Sequence, residues 1–451
     1  MRRASVFAAV AMLAGCTVGP NYHRPAVDVP SDYRNANLPP RTPSIASEKW
    51  WTVFKDPELQ KLIHRAVEQN YDVRIAASRI LQAQAQLGIT RADQFPQVTG
   101  GAGYTGQKIP SFGFAAFELQ GIFSWNIDFW GRYRRATEAA RADLLASEWN
   151  RNLVLGTVVA NVATAYFQLR ELDLELEIAK RTLTSRRESL KLANILEQGG
   201  ATSLLDVRQA EQLVETAAGT IPDTERQLAL VEDVLSTLIG ENPHDIPRGL
   251  PLIQQAIPEA VPAGLPSELL ERRPDIRQAE QQLIAANARI GVARAQFFPS
   301  LPLTGAGGFE SASLASLFSG TAWNFSASLA QPVFTAGRLR SNLKLAQAQR
   351  EEALLAYRQT IQQAFRQVSD ALIAYTKYRQ FREHQDLLTT AAQGAAGLSQ
   401  TRYRGGAASY LEVLTSETNS FAAELNLARA RLNERLALVQ IYNTLGGGWE
   451  Q

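Results

Sequence analysis

The chain has 451 residues, which is enough for two or three ordinary domains. Its 46 basic and 44 acidic residues nearly cancel, whereas nucleic-acid-binding proteins usually carry a strong basic excess. The composition therefore argues against a nucleic-acid partner. The single cysteine, Cys16, excludes a disulfide bond within one chain.

The N-terminus has the layout of a signal peptide. Two arginines precede an apolar run over residues 6–13, which is too short for a transmembrane helix, and the sequence LAGC follows at 13–16. LAGC resembles a bacterial lipobox, which predicts removal of residues 1–15 and lipidation of Cys16 as the first residue of the mature protein. The alternative is an incidental cysteine in a discarded signal peptide. Residue 17 is Thr, not the Asp associated with inner-membrane retention, so the resemblance indicates the outer membrane.

The next segment, residues 16–57, is rich in Pro, Asn and Ser, which predicts an extended, irregular arm. No later run approaches eighteen apolar residues, so we expect no transmembrane helix in the mature chain. Any membrane crossing must then use β-strands.

A strand pattern and a very long helix pattern follow one another. From residue 117 to 129, apolar and mostly polar residues alternate with a period of two, as in a strand with one apolar face. From 132 to 197 an apolar heptad repeat predicts a supercoiled helix of about 100 Å. A second heptad seam, which starts at Val158, is apolar except at Arg186. A membrane-type strand joined to such a helix suggests a tube that continues out of a membrane.

The chain contains two copies of one unit. Glycines recur at a fixed distance, as with Gly199 and Gly405, which are 206 residues apart (405 − 199). The first repeat, 58–246, is predicted to contain a helix at 58–94, strands at 97–106 and 117–129, a loop at 107–116, and helices at 132–197 and 203–240. The second repeat, 267–446, is predicted to contain a helix at 274–297, strands at 300–309 and 322–334, a loop at 310–321, and helices at 338–403 and 409–445. A linker at 247–266 separates them, a tail at 447–451 ends the chain, and Pro222 is expected to kink or split its helix.

Four strands in one chain cannot close a barrel, and a membrane sheet must close because open edges leave unpaired backbone groups in hydrocarbon. Two chains would give eight strands and a filled interior, and three would give twelve strands and a lumen. The small or polar residues on the other face suit a wet interior. The alternative is a soluble sandwich with one core face.

The chain resembles the outer-membrane efflux lipoproteins, the OprM-like (NodT-like) branch of the TolC superfamily. The resemblance rests on LAGCTVGPNYHRP (13–25), the ERRPDI segment (271–308), EQGGATSLLDV (197–207) and RYRGGAASYLEV (402–413). It implies a mainly α fold with a membrane β-barrel contribution: a homotrimer with a twelve-stranded barrel and a coiled-coil helical tunnel. It further implies an outer-membrane lipoprotein that extends into the periplasm.

The function that the resemblance implies is a passive exit duct for small molecules such as drugs in a tripartite efflux system. The implied partners are a periplasmic membrane-fusion (adaptor) protein, an inner-membrane RND transporter and outer-membrane lipid. A duct for ABC-driven type I secretion is an alternative, and a lipid-anchored periplasmic coiled-coil scaffold is an alternative of another class. The sequence contains no enzyme motif, metal-ligand spacing or cofactor motif, so we expect no enzyme, metal or cofactor.

The resemblance also implies which residues form the periplasmic aperture. The positions that match aperture or gate-linking residues are Tyr403, Leu411, Asp206 and Glu412, and a further acidic position of the family is Thr415 here. The tip turns, which would dock the adaptor, contain Gly199, Gly200, Gly405 and Gly406.

Each of these residues has a plainer interpretation. Asp206 and Glu412 also fit capping boxes that begin at Ser203 and Ser409. Leu411 could constrict the aperture or only pack between helices, and a ring of Glu412 side chains would attract cations. We expect the Tyr403 hydroxyl to donate to Asp206.

Overall fold

The structure is a computed structural model, and it describes residues 17–34, 44–258 and 261–449. The predicted signal peptide and Cys16 lie outside these residues. In chain order the helices and strands are α1 (Trp50–Val53), α2 (Pro57–Gln69), α3 (Tyr71–Ala92), β1 (Gln97–Ile109), β2 (Phe112–Asn126), α4 (Arg132–Gln198), α5 (Leu204–Leu238), α6 (Pro266–Arg272), α7 (Pro274–Ala295), β3 (Pro302–Ser311), β4 (Thr321–Ala327), α8 (Arg338–Arg404) and α9 (Tyr410–Thr444).

The four strands form one antiparallel sheet in the order β1-β2-β3-β4. Its outer edges, on β1 and β4, have no strand partner within the described part of the chain. Large apolar side chains on both edge strands are exposed, including Val98 at 73 % and Trp323 at 82 %. A mainly helical chain with one four-stranded sheet confirms the predicted fold class.

The loop predicted at residues 107–116 is wrong. β1 continues to Ile109 and β2 begins at Phe112, so a two-residue connection makes the turn. Glycine, lysine and glutamine at these positions are weak strand formers, and strand pairing overrides that preference. In the second copy, a 3-10 turn over Leu314–Ser319 occupies most of the connection between β3 and β4.

The strand predicted at 322–334 is too long. β4 ends at Ala327, and beyond it the ladder has one isolated bridge, between Ser300 and Ala330. Pro302, which lies opposite Ser328 just after the end of β4, has no N–H to donate to that strand, and Pro332 has none beyond the bridge.

The single helix predicted at 58–94 is two helices, separated at Asn70. The Asn70 N–H donates to the carbonyl of Ala66 at 2.9 Å and ends α2. Its side-chain oxygen accepts from the Asp72 N–H at 2.8 Å and caps α3. An asparagine inside an amphipathic run can be a surface residue or a cap, and the sequence alone did not distinguish them.

Pro222 does not split its helix, since α5 is continuous from Leu204 to Leu238. A proline removes one backbone donor from a helix. Ala217 and Leu228 are buried on either side of it, so packing holds both halves of the helix in register.

Helix α4 has the buried seams that its heptads predict. All six residues of the second seam are buried: Val158, Ala165, Leu172, Ala179, Arg186 and Ala193. Contrary to the expectation from sequence, α4 is the one described helix with an 18-residue window apolar enough to cross a membrane, and 56 % of that window is buried. A core helix meets the same criterion, and the burial agrees with that interpretation.

The chain divides into two compact units, and each draws on both sequence repeats. The first unit is Met1–Val27, Ala77–Trp149 and Ile276–Thr360, and the second is Asp28–Ala76, Asn150–Asp275 and Ile361–Gln451. Within the first unit, residues 17–27 have no helix or strand, as predicted for the arm. The prediction of an irregular arm up to residue 57 is wrong after residue 44, because the buried side chains of Ile45 and Trp50 order a 3-10 turn (Ile45–Ser47) and α1 there. The Val18 N–H donates to the carbonyl of Trp130 at 3.0 Å, and the Tyr22 hydroxyl lies 3.3 Å from Glu280.

Candidate functional site

Two tight turns in the second unit join the long helices. The first tip (residues 199–203) connects α4 to α5, and the second tip (residues 405–409) connects α8 to α9. Gly200 and Gly406 both have φ of +71°, and in each turn the next alanine N–H donates to the preceding helix at 2.8 Å. These are glycine C-caps with the same backbone. The turns contain all four predicted tip glycines: Gly199, Gly200, Gly405 and Gly406.

The helix ends on either side of the second tip carry an ion pair and an exposed leucine. Arg402 lies 3.0 Å from Glu412, and Leu411 is 59 % exposed. Position 415 adds no charge, because a threonine occupies it. The Thr415 hydroxyl donates to the carbonyl of Leu411 at 2.9 Å. One chain therefore presents one carboxylate, already paired, beside one exposed apolar side chain.

At the first tip, Asp206 accepts a hydrogen bond from the hydroxyl of Thr202. Neither Ser203 nor Ser409 makes a side-chain cap bond to its helix. The serine hydroxyls therefore do not cap α5 and α9 as the inferred capping boxes require. The carboxylate of Asp206 contacts Thr202, and the carboxylate of Glu412 contacts Arg402.

The predicted hydrogen bond from Tyr403 to Asp206 is wrong. The Tyr403 hydroxyl is buried and has no hydrogen-bond partner. Its ring packs edge-on against Tyr410, with centroids 5.3 Å apart. Asp206 is satisfied by Thr202, which lies four residues away on its own chain segment. A local partner therefore replaces the distant tyrosine.

A buried apolar cluster lies beneath both tips and connects all four long helices. Its buried members are Ala193, Val207, Ala210, Tyr410 and Val413, and Leu190, Tyr403 and Leu414 pack against them. Burial and the charge of Glu417 raise the pKa of Tyr410, so its hydroxyl stays protonated. The aromatic pair is part of a packed core and not of an open surface.

Arg186 is a buried cation next to this cluster. It is 2 % exposed, donates to the carbonyl of Leu213 at 2.7 Å, and lies 4.9 Å from the ring centroid of Phe421. Burial lowers its pKa, while Glu417 acts in the opposite direction. Burial raises the pKa of Glu417, against the effects of Arg186 and Ser189. Arg186 Nε and Glu417 Oε2 both lack a hydrogen-bond partner, so these two groups, on α4 and α9, influence each other through their charges and not through a direct contact.

Sequence reasoning did not assign Arg186, Glu417 or Arg402 to the site. The signal for Arg186 was its place as the charged member of an apolar heptad seam. Arg402 sits ten residues before Glu412 in the chain, across the turn, and only the turn geometry brings them together. Within the described residues, no group of three His, Cys, Asp or Glu side chains could hold a metal ion.

The chain matches the family model described as outer membrane efflux protein over residues 62–241 and 265–447. The solvent efflux pump outer membrane protein SrpC of Pseudomonas putida is 36 % identical over 98 % of this chain and 97 % of the relative. The cation efflux system protein CusC of Escherichia coli is 34 % identical over 99 % of this chain and 98 % of the relative.

A solved structure agrees with the sequence comparison. The open state of the Neisseria gonorrhoeae MtrE outer membrane channel superposes with a TM-score of 0.90, at 34 % identity, over 96 % of this chain and 99 % of that one. The predicted TolC-like fold, efflux function and outer-membrane location are thereby confirmed. The chain belongs to the outer membrane efflux protein family.

Proposed function

We propose that three copies of this chain form the outer-membrane exit duct of a tripartite efflux pump. The observation that carries this assembly is the sheet with two unpaired edges, on β1 and β4. Such edges cannot face hydrocarbon, so copies must pair edge to edge until the sheet closes. Three copies give twelve strands and room for a lumen, whereas two give eight and a filled interior.

The names of the relatives support small-molecule transport. SrpC is named for solvents and CusC for cations, and both match almost the whole chain. We therefore favour small molecules over a secreted protein as cargo. An inner-membrane transporter of the RND type would supply the energy, and a periplasmic adaptor protein would dock on the duct. The tip glycines would let the turns approach the adaptor closely.

The second tip is the proposed aperture. Leu411 is exposed at the first turn of α9, and Glu412 follows it directly. In a trimer, three such leucines would narrow the axis and three carboxylates would attract cations. The arginine at 402 would moderate that charge, since it pairs with Glu412 in each chain.

Cys16 is the proposed lipid attachment residue, directly before the first described residue, Thr17. Two or more acyl chains anchor a protein stably, because each buried CH₂ contributes ~0.8 kcal/mol. Metabolic labelling with palmitate should mark the wild type and not Cys16→Ser. Label retained by that variant would refute the assignment.

Single-channel conductance of the purified protein in planar bilayers tests the duct and its aperture together. Wild-type openings should be small or rare, and Leu411→Ala/Glu412→Ala should enlarge or prolong them severalfold. The comparison variant is Leu205→Ala/Asp206→Ala, which changes the repeat-equivalent residues 206 positions earlier (411 − 205). Because Asp206 is itself one of the aperture positions that the resemblance implies, this variant tests the first tip, and we expect it to enlarge the openings less than Leu411→Ala/Glu412→Ala does.

Each other outcome has a definite meaning. A large wild-type conductance that neither double variant changes would keep the duct and remove the aperture from Leu411 and Glu412. Equal enlargement by both double variants would assign the aperture to both tips. No conductance from any of the three proteins would contradict the duct and favour the periplasmic scaffold.

A further inference from the structure

A cavity of about 280 Å³ in the second unit is lined by an unusual concentration of arginines. It lies between α8, α9 and the segment after the 3-10 turn Leu252–Gln254. Its charged lining residues are Arg379, Arg382, Arg431, Glu434 and Arg435. Four positive charges face one negative charge, so the lining has an excess of three positive charges. The chain as a whole is almost neutral, at +2.

Arg435 is the most buried of the four arginines that line this cavity. It is 5 % exposed, and its two terminal nitrogens donate to the carbonyls of Arg431, at 2.8 Å, and Leu252, at 2.6 Å. Its Nε is buried and has no hydrogen-bond partner. An unpaired N–H of a buried guanidinium is costly, because desolvation is not offset by a partner.

Three more guanidiniums line the same cavity. Arg382 lies 2.8 Å from Glu434, which is the single carboxylate in the lining. Arg431 lies 3.2 Å from Asp386, and Arg379 lies 3.4 Å from Glu383. Those two acids are about half exposed, so water screens their charge. The positive potential inside the cavity is therefore only partly neutralised by the protein.

The protonation behaviour of Arg435 agrees with this charge balance. Burial lowers its pKa to about 10, Glu434 opposes the shift, and Arg431 and Arg382 lower the pKa further by repulsion. Arginine almost always keeps an unperturbed pKa above 12. Mutual repulsion of this kind is relieved when an anion enters.

We propose that this cavity binds a small oxyanion with phosphate-like chemistry. Guanidinium groups donate in a planar fork that matches phosphate and carboxylate oxygens. Arg431 and Arg379 would donate from the rim, and the charge of the anion would offset the desolvated positive charge of Arg435 behind them. Because Arg435 also holds the Leu252 carbonyl, the bound anion would brace the segment between the two repeats against α8 and α9. This site is separate from the tips and does not depend on the proposed efflux function.

The test is calorimetric titration of the purified full-length protein in detergent with inorganic phosphate, at constant ionic strength in chloride. We expect saturable binding of one phosphate per chain. The test variant, Arg379→Gln/Arg431→Gln, keeps Arg435 and its backbone contacts, and it should bind phosphate at least tenfold more weakly. A rise in the unfolding temperature with phosphate should disappear in the same variant.

The matched control is Arg366→Gln, which removes an arginine from the same helix. Arg366 forms an i,i+4 pair with Asp370 at 3.7 Å, as Arg379 does with Glu383, but it does not line the cavity. The control should change phosphate affinity less than twofold. No saturable binding by the wild type, or equal binding by the wild type and the double variant, would overturn the proposal.

A parallel titration with glycerol 3-phosphate separates two sources of the anion. Binding as tight as that of inorganic phosphate would indicate that a phosphomonoester at the end of a larger molecule fits. Binding of inorganic phosphate alone would assign the site to the free anion. Either result keeps the oxyanion site.

Discussion

The two helical hairpins have the same backbone and different chemistry. α4 and α8 each have 67 residues, and α5 and α9 each have 35. The first residue of the returning helix nevertheless differs, since Tyr410 is 2 % exposed and its equivalent Leu204 is 57 % exposed. Repetition therefore fixed helix lengths and turns, while side-chain chemistry diverged.

Two equivalent glutamates show the divergence most clearly. Glu211 is paired with Arg208 on its own helix at 2.7 Å, and both are exposed. Glu417, 206 residues later (417 − 211), interacts with the buried Arg186 of α4. The first is an exposed i,i+3 pair within one helix, whereas the second interaction acts between two helices. Glu417 of the second hairpin thus acts on a residue of the first hairpin, whereas Glu211 pairs within its own helix.

The largest expected effect comes from removing the buried cation. Arg186→Met should lower the free energy of unfolding by about 2 kcal/mol, because the Leu213 carbonyl loses its donor, the Phe421 ring loses its stacked cation, and Glu417 loses a nearby positive charge. Denaturant unfolding of the purified protein measures this loss. The control Arg187→Met changes the exposed neighbour and should stay within ~0.5 kcal/mol. Equal stability of both variants would show that the contacts of the buried Arg186 side chain do not stabilise the packing of α4.

The double variant Arg186→Met/Glu417→Gln sharpens the same measurement. A neutral residue at 417 removes the uncompensated charge, so the double variant should recover part of the loss. Additive losses would mean that Arg186 acts through its carbonyl and ring contacts alone.

The sequence predicted most of the fold because long periodic patterns leave few alternatives. The heptad repeat defined α4 to within one residue at its C-terminal end, Gln198. The boundaries that failed depended on tertiary pairing or on single side chains. The extension of β1 to Ile109 needs the opposite strand, and the break at Asn70 needs one side chain to accept from Asp72.

The candidate site was less predictable, because sequence spacing gives position and not partners. The tip glycines were found, since a left-handed turn between two helices requires them. The partner of Tyr403 was not, because Thr202 satisfies Asp206 locally. The charged interruption of the heptads at Arg186 marks one polar cluster that the structure contains. Such interruptions were the available signal.

A smaller loss of stability is expected from substitution of the left-handed glycine in each tip, Gly200 or Gly406. Gly200→Ala and Gly406→Ala should each lower the free energy of unfolding by about 1 kcal/mol, because φ of +71° disfavours a Cβ. Nothing lies within 4 Å of the added Cβ at either position, so no clash contributes. Gly219→Ala, inside α5 and also without close neighbours, should not destabilise the helix. Unequal effects at the two tips would contradict a shared backbone.

The smallest expected effect is a change in how the unfolding temperature depends on pH. It should differ between Glu417 and its repeat-equivalent Glu211. Burial raises the pKa of Glu417 above its ordinary value of 4.5, so the folded state keeps a proton that the unfolded state releases. The contribution of this group to stability is therefore greatest at low pH and falls as pH rises above 4.5 toward its folded-state pKa. Glu417→Gln should flatten this fall in unfolding temperature between acidic and neutral pH. Glu211→Gln, at the exposed equivalent, should leave the slope of the wild type unchanged. Parallel curves for wild type and both variants would show that Glu417 is hydrated in the assembled protein.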